Sequence, residues 1–246
     1  MKKISTALSL IVIVSHLVYT QTNENSFGII VSPTVGWMQS KDNLINSNGV
    51  RLGLQVGGMG EYYVTDWMAL YGGATFSFSQ GGTLLHKFGG NLLPDSELSD
   101  PQYNTGDKPL PDDVEIKYSL QLFEIPIGLR YQIGLPNQLF DLYLIFPEFN
   151  LGLISKSAGT IQATNVLLEK EDIGKDVRAF NFAWGVGAGL IVPMQEHYGT
   201  FGLHLQRGLS DITANNGYRV LANGTREEED SKGTLNSLIL KFAYFF

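Results

Sequence analysis

The chain has 246 residues, 43% hydrophobic and only 17% charged, with a formal net charge of −7. The charged share falls well below the roughly 25% of an average soluble domain, and an acidic chain lacks the clustered Lys and Arg that nucleic-acid phosphates demand. Cys is absent, which excludes disulfides, thiolate metal sites and lipidation at a cysteine.

Met1-Lys2-Lys3 followed by the apolar run Ile4 to Val14 reads as the charged and hydrophobic regions of a secretory signal peptide. The run is shorter than the roughly 20 residues a transmembrane helix needs, and His16 interrupts its end. Residues 1–20 are expected to be the signal peptide, cut after Thr20, and residues 21–246 the barrel domain. Losing Lys2 and Lys3 would take the formal charge from −7 to −9. No later stretch resembles a membrane helix, so any further span must be built of strands.

The rest of the chain alternates with a period of two, as strands do. Phe27, Ile29, Val31, Val35 and Trp37 share one face, against Gly28, Ser32, Thr34 and Gly36. Leu52, Leu54 and Val56 oppose Arg51, Gly53, Gln55 and Glu61. Leu70, Ala74, Phe76 and Phe78 oppose Gly73, Thr75 and Ser77. Residues 116–133 break phase at Leu122-Phe123, which predicts a β-bulge there, next to Pro126. Residues 139–154 are apolar on both faces until Glu148 and Asn150 mark an inner one. Phe180, Phe182, Trp184, Val186, Leu190 and Val192 form the sixth row, and Leu238, Leu240, Phe242, Tyr244 and Phe246 the last.

Eight strands are predicted. Their connections alternate between short (64–66, 134–138, 194–199) and long and polar (40–48, 81–115, 155–177, 211–233). Outer-membrane barrels sort their connections in this way, with short periplasmic turns and long extracellular loops. The expected fold is therefore all-β: an eight-stranded antiparallel transmembrane barrel in the outer membrane, both termini periplasmic. Its apolar faces should meet lipid, with Trp37, Trp67 and Trp184 at the interfaces. An eight-stranded barrel has room for its own side chains or one small ligand, so the interior is expected to be packed.

Arg51, Glu61, Glu124, Arg130, Glu148 and Lys241 fall on the inner face by parity and are expected to form ion pairs or hydrogen bonds across it. Leu240, Phe242, Tyr244 and Phe246 are similar to the alternating aromatic signal that the barrel-assembly machinery reads. His86 is placed in a loop, His204 inward and His197 in a turn. No Ser-His-acid or Asp-His group can be assembled from the spacing, so no catalytic site and no cofactor is expected. The run Glu227-Glu228-Glu229-Asp230 and the pair Asp112-Asp113 offer carboxylates to divalent cations, or simply a solvated loop. Arg207 points outward, within reach of a lipid phosphate.

Phe123-Glu124-Ile125-Pro126-Ile127-Gly128-Leu129-Arg130-Tyr131 resembles the core motif of the PorT-like outer-membrane barrel family of Bacteroidota. Tyr143 to Gly152, Gly185-Val186-Gly187-Ala188-Gly189 and Leu203 to Ile212 resemble its later strands. Leu205 and Arg207 depart from the aromatics the family prefers. The resemblance implies a membrane barrel, loosely called a porin, whose namesake is linked to type IX protein secretion. The expected partners are outer-membrane lipid and lipopolysaccharide and the barrel-assembly machinery, to which the resemblance adds secretion-system proteins. The expected role is non-enzymatic, in envelope structure or protein interaction. A narrow solute pore is the first alternative, and a lipid or peptide hydrolase a more distant one.

Overall fold

A computed structural model describes residues 25–103, 108–135 and 139–246. The expected signal peptide lies outside the described residues. Eight long strands follow one another in antiparallel order: β1 (Asn25–Gln39), β2 (Ile45–Thr65), β3 (Met68–His86), β4 (Val114–Ile133), β5 (Asp141–Ala163), β6 (Phe180–Met194), β7 (His197–Gly208) and β8 (Thr234–Phe245). Each pairs with the next, and β8 pairs with β1 from Gly28↔Phe245 to Gln39↔Thr234, which closes the ring. Phe246 completes the seam: its N–H donates to the Phe27 carbonyl at 2.8 Å. Closure leaves no edge whose backbone groups would need water, the condition for spanning lipid with strands.

Period-two alternation decides which side chains face out. Phe27, Ile29 and Val31 on β1, Phe76 and Phe78 on β3, Leu151 and Leu153 on β5, Leu203 and Leu205 on β7 and Phe242 and Tyr244 on β8 are all exposed. They form an apolar belt of a kind that water would not tolerate and lipid would. The intervening residues, among them Ser32, Thr34, Gln55, Thr75, Asn150, Thr200 and Gln206, are buried inside.

The strands are longer than the sequence pattern predicts. β2, β3, β4 and β5 have 21, 19, 20 and 23 residues, whereas roughly 9–11 suffice to cross a bilayer. Most of the stretch expected as a loop at 155–177 and the margins of those at 40–48 and 81–115 are strand, and Val166–Asp172 folds back along β5 as an added hairpin arm.

The predicted bulge at Leu122-Phe123 is corrected. Alternation on β4 runs unbroken from Val114 to Arg130. Two adjacent apolar residues occur because the surroundings invert. Below this point Phe123, Ile125 and Ile127 face outward to lipid and Glu124 faces in. Above it Ile116, Tyr118, Leu120 and Leu122 face a buried apolar core, while Glu115, Lys117 and Gln121 face outward. The irregularities lie on the neighbours: the register shifts between Ser77 and Gln80 on β3, and Ser155 is the extra residue opposite Gln121 and Leu122.

That upper core is built over the end of the barrel away from the short turns. Leu92, Leu93, Leu98, Tyr103 and Leu110 from the β3–β4 connection pack on Met38, Ile45, Leu84 and Ile116 of the wall and on Ile173 and Ile212 of the other connections. Tyr218–Val220 pairs with both Arg226–Glu228 and Gly90–Asn91, so two connections share a small sheet. The Asp176 carboxylate accepts from Ser96 Oγ at 2.5 Å and Asn216 Nδ2 at 3.1 Å, and Glu171 accepts from Ser99 N at 2.7 Å. The long connections therefore form a folded cap.

Candidate functional site

The interior beneath the cap is layered. Nearest the short turns, Arg130 of β4 forms an ion pair with Glu61 of β2, both buried, and the Tyr198 hydroxyl donates to Glu61 at 2.8 Å. Tyr198 stacks on Phe245 with centroids 4.6 Å apart, and the guanidinium lies 5.6 Å from the Tyr198 ring and 5.9 Å from that of Phe245. This layer plugs the short-turn end with two stacked aromatic rings beside one cation.

The middle layer centres on Glu148 of β5, which is fully buried. Its Oε1 accepts from the Tyr71 hydroxyl at 2.5 Å and from Lys241 Nζ at 3.4 Å, and its Oε2 meets His204 Nδ1 at 2.8 Å. Gln206 adds a donor at 3.3 Å, and His204 Nε2 lies 3.3 Å from the Tyr143 hydroxyl. Strands β3, β7 and β8, none of them paired with β5, thus supply several donors across the barrel to one carboxylate, as a charge removed from water requires. The Tyr143 ring lies over the paired Gly189 and Gly202, where any Cβ would collide with it; glycine there makes the close approach possible.

The next layer holds Glu124. It has no ion-pair partner among the described residues and instead accepts from Asn150 Nδ2 at 2.7 Å, Gln55 Nε2 at 3.0 Å and the Ser77 hydroxyl. A cavity lined by Gln55, Gln80, Glu124, Asn181 and Gln206 measures about 10 Å³, the size of about one water molecule. Above it the apolar core begins.

Five of the six charges assigned to the interior lie there: Glu61 with Arg130, Glu148 with Lys241, and Glu124 among neutral donors. Arg51 does not, which corrects the parity assignment. The β2–β3 pairing lapses between Val50↔Gly82 and Leu54↔Phe78 without a change of register, the β3–β4 register shifts between Ser77 and Gln80, Ser79 adopts a left-handed φ of 59°, and Arg51 Nε donates to Ser79 Oγ at 2.9 Å beside an outer-wall recess. The His204–Glu148 couple escaped sequence reasoning, since it depends on which strands face each other across the barrel. Its only readable signal was that both residues have inward parity. The couple is sealed from solvent on all sides. Leu240, Phe242 and Tyr244 form the outward row of β8 as expected from alternation, with Phe246 exposed at its end.

The histidine expected in a loop, His86, ends β3 and is buried in the cap. Burial holds its imidazole down at about 4 rather than 6.5, against Asp42 and beside Arg219. Its Nδ1 lies 3.9 Å from Glu229, whose carboxyl burial pushes up to about 7. Between those values both groups are neutral. The acidic run at 227–230 is not one carboxylate cluster: Glu229 points in, Glu227 pairs with Arg219 at 2.8 Å and Asp230 with Lys232 at 2.5 Å. Asp112 accepts from Gly89 N at 2.8 Å.

A closed eight-stranded ring with an apolar belt and a polar interior is the architecture of a membrane-spanning barrel. A family model described as the outer membrane protein beta-barrel domain matches residues 20–214. The chain belongs to this family, and it is an outer-membrane protein. Among solved structures it is similar to a major outer membrane protein of Thermus thermophilus, at 12% identity over 91% of this chain and 100% of that one, with a TM-score of 0.42. It is also similar to Neisserial surface protein A at 10% identity, 91% and 98% coverage and a TM-score of 0.41, and to Ail of Yersinia pestis at 10%, 92% and 100% and 0.38. No curated protein sequence matches it.

Proposed function

We propose that this barrel is a non-enzymatic membrane anchor that presents its folded cap at the cell surface and conducts no solute. The observation that carries this reading is the filled interior, in which the Arg130–Tyr198–Phe245 plug, the Glu148 and Glu124 layers and the apolar core succeed one another along the axis. The short-turn end and both termini face the periplasm, in keeping with the loop asymmetry of such barrels. The outward row ending at Phe246 serves as the signal read by the barrel-assembly machinery. The likeness of residues 123–131 to the PorT-like motif supports a protein-interaction role, with the type IX secretion components as the partners to test first.

Planar-bilayer recording on the purified barrel is expected to show no discrete conductance steps, and reproducible channel events would overturn the reading. Affinity purification from native membranes tests the partner. Recovery of secretion components supports the secretory role, and a barrel recovered alone leaves the envelope-structural one.

A further inference from the structure

The outer wall carries a cationic recess at the edge of the apolar belt on the cap side. Arg51, Lys156 and Lys170 line it, with Ser119, Gln121 and Thr160, and no carboxylate does. On a chain of net charge −7 this segregation runs against the overall balance. None of the three cations has an ion-pair partner among the described residues. Glu115 and Glu169 line the adjoining recess with Lys117, and that recess shares Arg51 and Thr160 with this one.

Each cation is set in place by its own break in the sheet. Arg51 bonds Ser79, the left-handed residue of the β3 irregularity. Lys156 follows Ser155, the extra residue of β5, so both are exposed in succession. Lys170 has a φ of 59° within the register shift between Gly159 and Ile161, a conformation that non-glycine residues seldom adopt. Bulges re-aim side chains, and here three of them converge on one recess. Immediately below stand Leu52, 74% exposed, with Leu153 and Phe123, so the cations sit where hydrocarbon gives way to headgroups.

We infer that this recess binds the phosphate of a phosphorylated glycolipid in the outer leaflet. The lysine ammonium groups and the guanidinium supply the charge, and Ser119 and Thr160 supply neutral donors to the remaining phosphate oxygens. Basic groups at this depth read anionic headgroups while the apolar wall below receives the acyl chains. The inference rests on the orientation proposed above, so orientation is measured separately. A Glu228→Cys variant, the sole cysteine of the chain, should react with an impermeant maleimide on intact cells, and labelling only after lysis would reverse the barrel.

The test of the recess uses purified full-length protein in detergent, incubated with diphosphorylated lipid A and read by native mass spectrometry. Wild-type protein should retain lipid A, and R51Q/K156Q/K170Q should retain roughly tenfold less, since each charge near such a surface counts for several-fold. R51K/K156R/K170R should bind as wild type, and heat-dependent gel mobility confirms that each variant is folded. Dephosphorylated lipid A should be retained equally poorly by all. Equal retention by the glutamine variant, indifference to the phosphates, or a preference for phosphatidylglycerol over lipid A would each overturn the proposal. So would displacement of lipid A by millimolar inorganic phosphate, which would make the recess a site for free anions.

Discussion

Glu124 and Glu148 show two ways of keeping a carboxylate inside a barrel. Glu148 sits among Lys241, His204 and Tyr71, whereas Glu124 relies on the neutral donors Asn150, Gln55 and Ser77. Truncating Glu124 withdraws the acceptor from three buried donors, each costing about 1–3 kcal/mol when orphaned, less where a second acceptor remains. Gln55 retains Thr75 and Asn150 retains Gln206, so Ser77 carries most of the loss. Glu124→Ala is expected to destabilise the barrel by about 2 kcal/mol and Glu124→Gln by less, measured by reversible unfolding in detergent. Equal stability of Glu124→Ala and wild type would remove the interior network from the account of stability. At this scale parity was legible and partners were not. Alternation put Glu61, Glu124, Arg130, Glu148 and Lys241 inside, but which strand faces which across the ring lies in no local pattern. Arg51 failed because one bulge on a neighbouring strand sufficed to redirect it.

β4 shows what a sequence pattern records about an element and what it hides. Its alternation is continuous, yet the apolar residues change face at Leu122-Phe123. Periodicity reports contrast between the two faces, not which face meets lipid, water or protein. A change of surroundings therefore looks like a slip in register. The same ambiguity shortened the predicted strands, because their upper halves are apolar inward and polar outward, as in a soluble barrel. Two isoleucines on this strand test the distinction. Ile116 is fully buried in the cap core, whereas Ile125 is 40% exposed on the belt. Ile116→Ala leaves a cavity and should cost about 2–5 kcal/mol of cap stability, whereas Ile125→Ala leaves a gap that lipid fills and should cost under about 1 kcal/mol. Comparable losses in thermal melts of the two variants in lipid would mean that β4 does not change surroundings along its length.

The molecule as a whole consists of a barrel and a cap that respond to different variables, and the cap holds two buried groups whose titrations are shifted in opposite directions. His86 lies against Glu229, with Asp42 and Arg219 facing both, and Ser231, Asp230 and Tyr118 around the carboxyl. Glu229 titrates at about 7 in the folded cap against 4.5 ordinarily, so its contribution is full below about 4.5 and is lost as pH rises to about 7. His86 titrates at about 4 against 6.5, so its contribution is full above about 6.5 and is lost as pH falls to about 4. At 1.36 kcal/mol per pKa unit each effect amounts to about 3 kcal/mol over its window, and the two slopes oppose each other between about 4.5 and 6.5. Cap melting, followed by tyrosine near-ultraviolet circular dichroism, should therefore be nearly flat across that interval in the wild type. Glu229→Gln should leave the histidine slope alone, so the melting temperature climbs as pH rises from about 4 to 6.5. His86→Leu should leave the carboxyl slope, so the melting temperature falls between about 4.5 and 7. Three parallel profiles would show that neither group is buried as the cap places it, and with that the compact cap would lose its support.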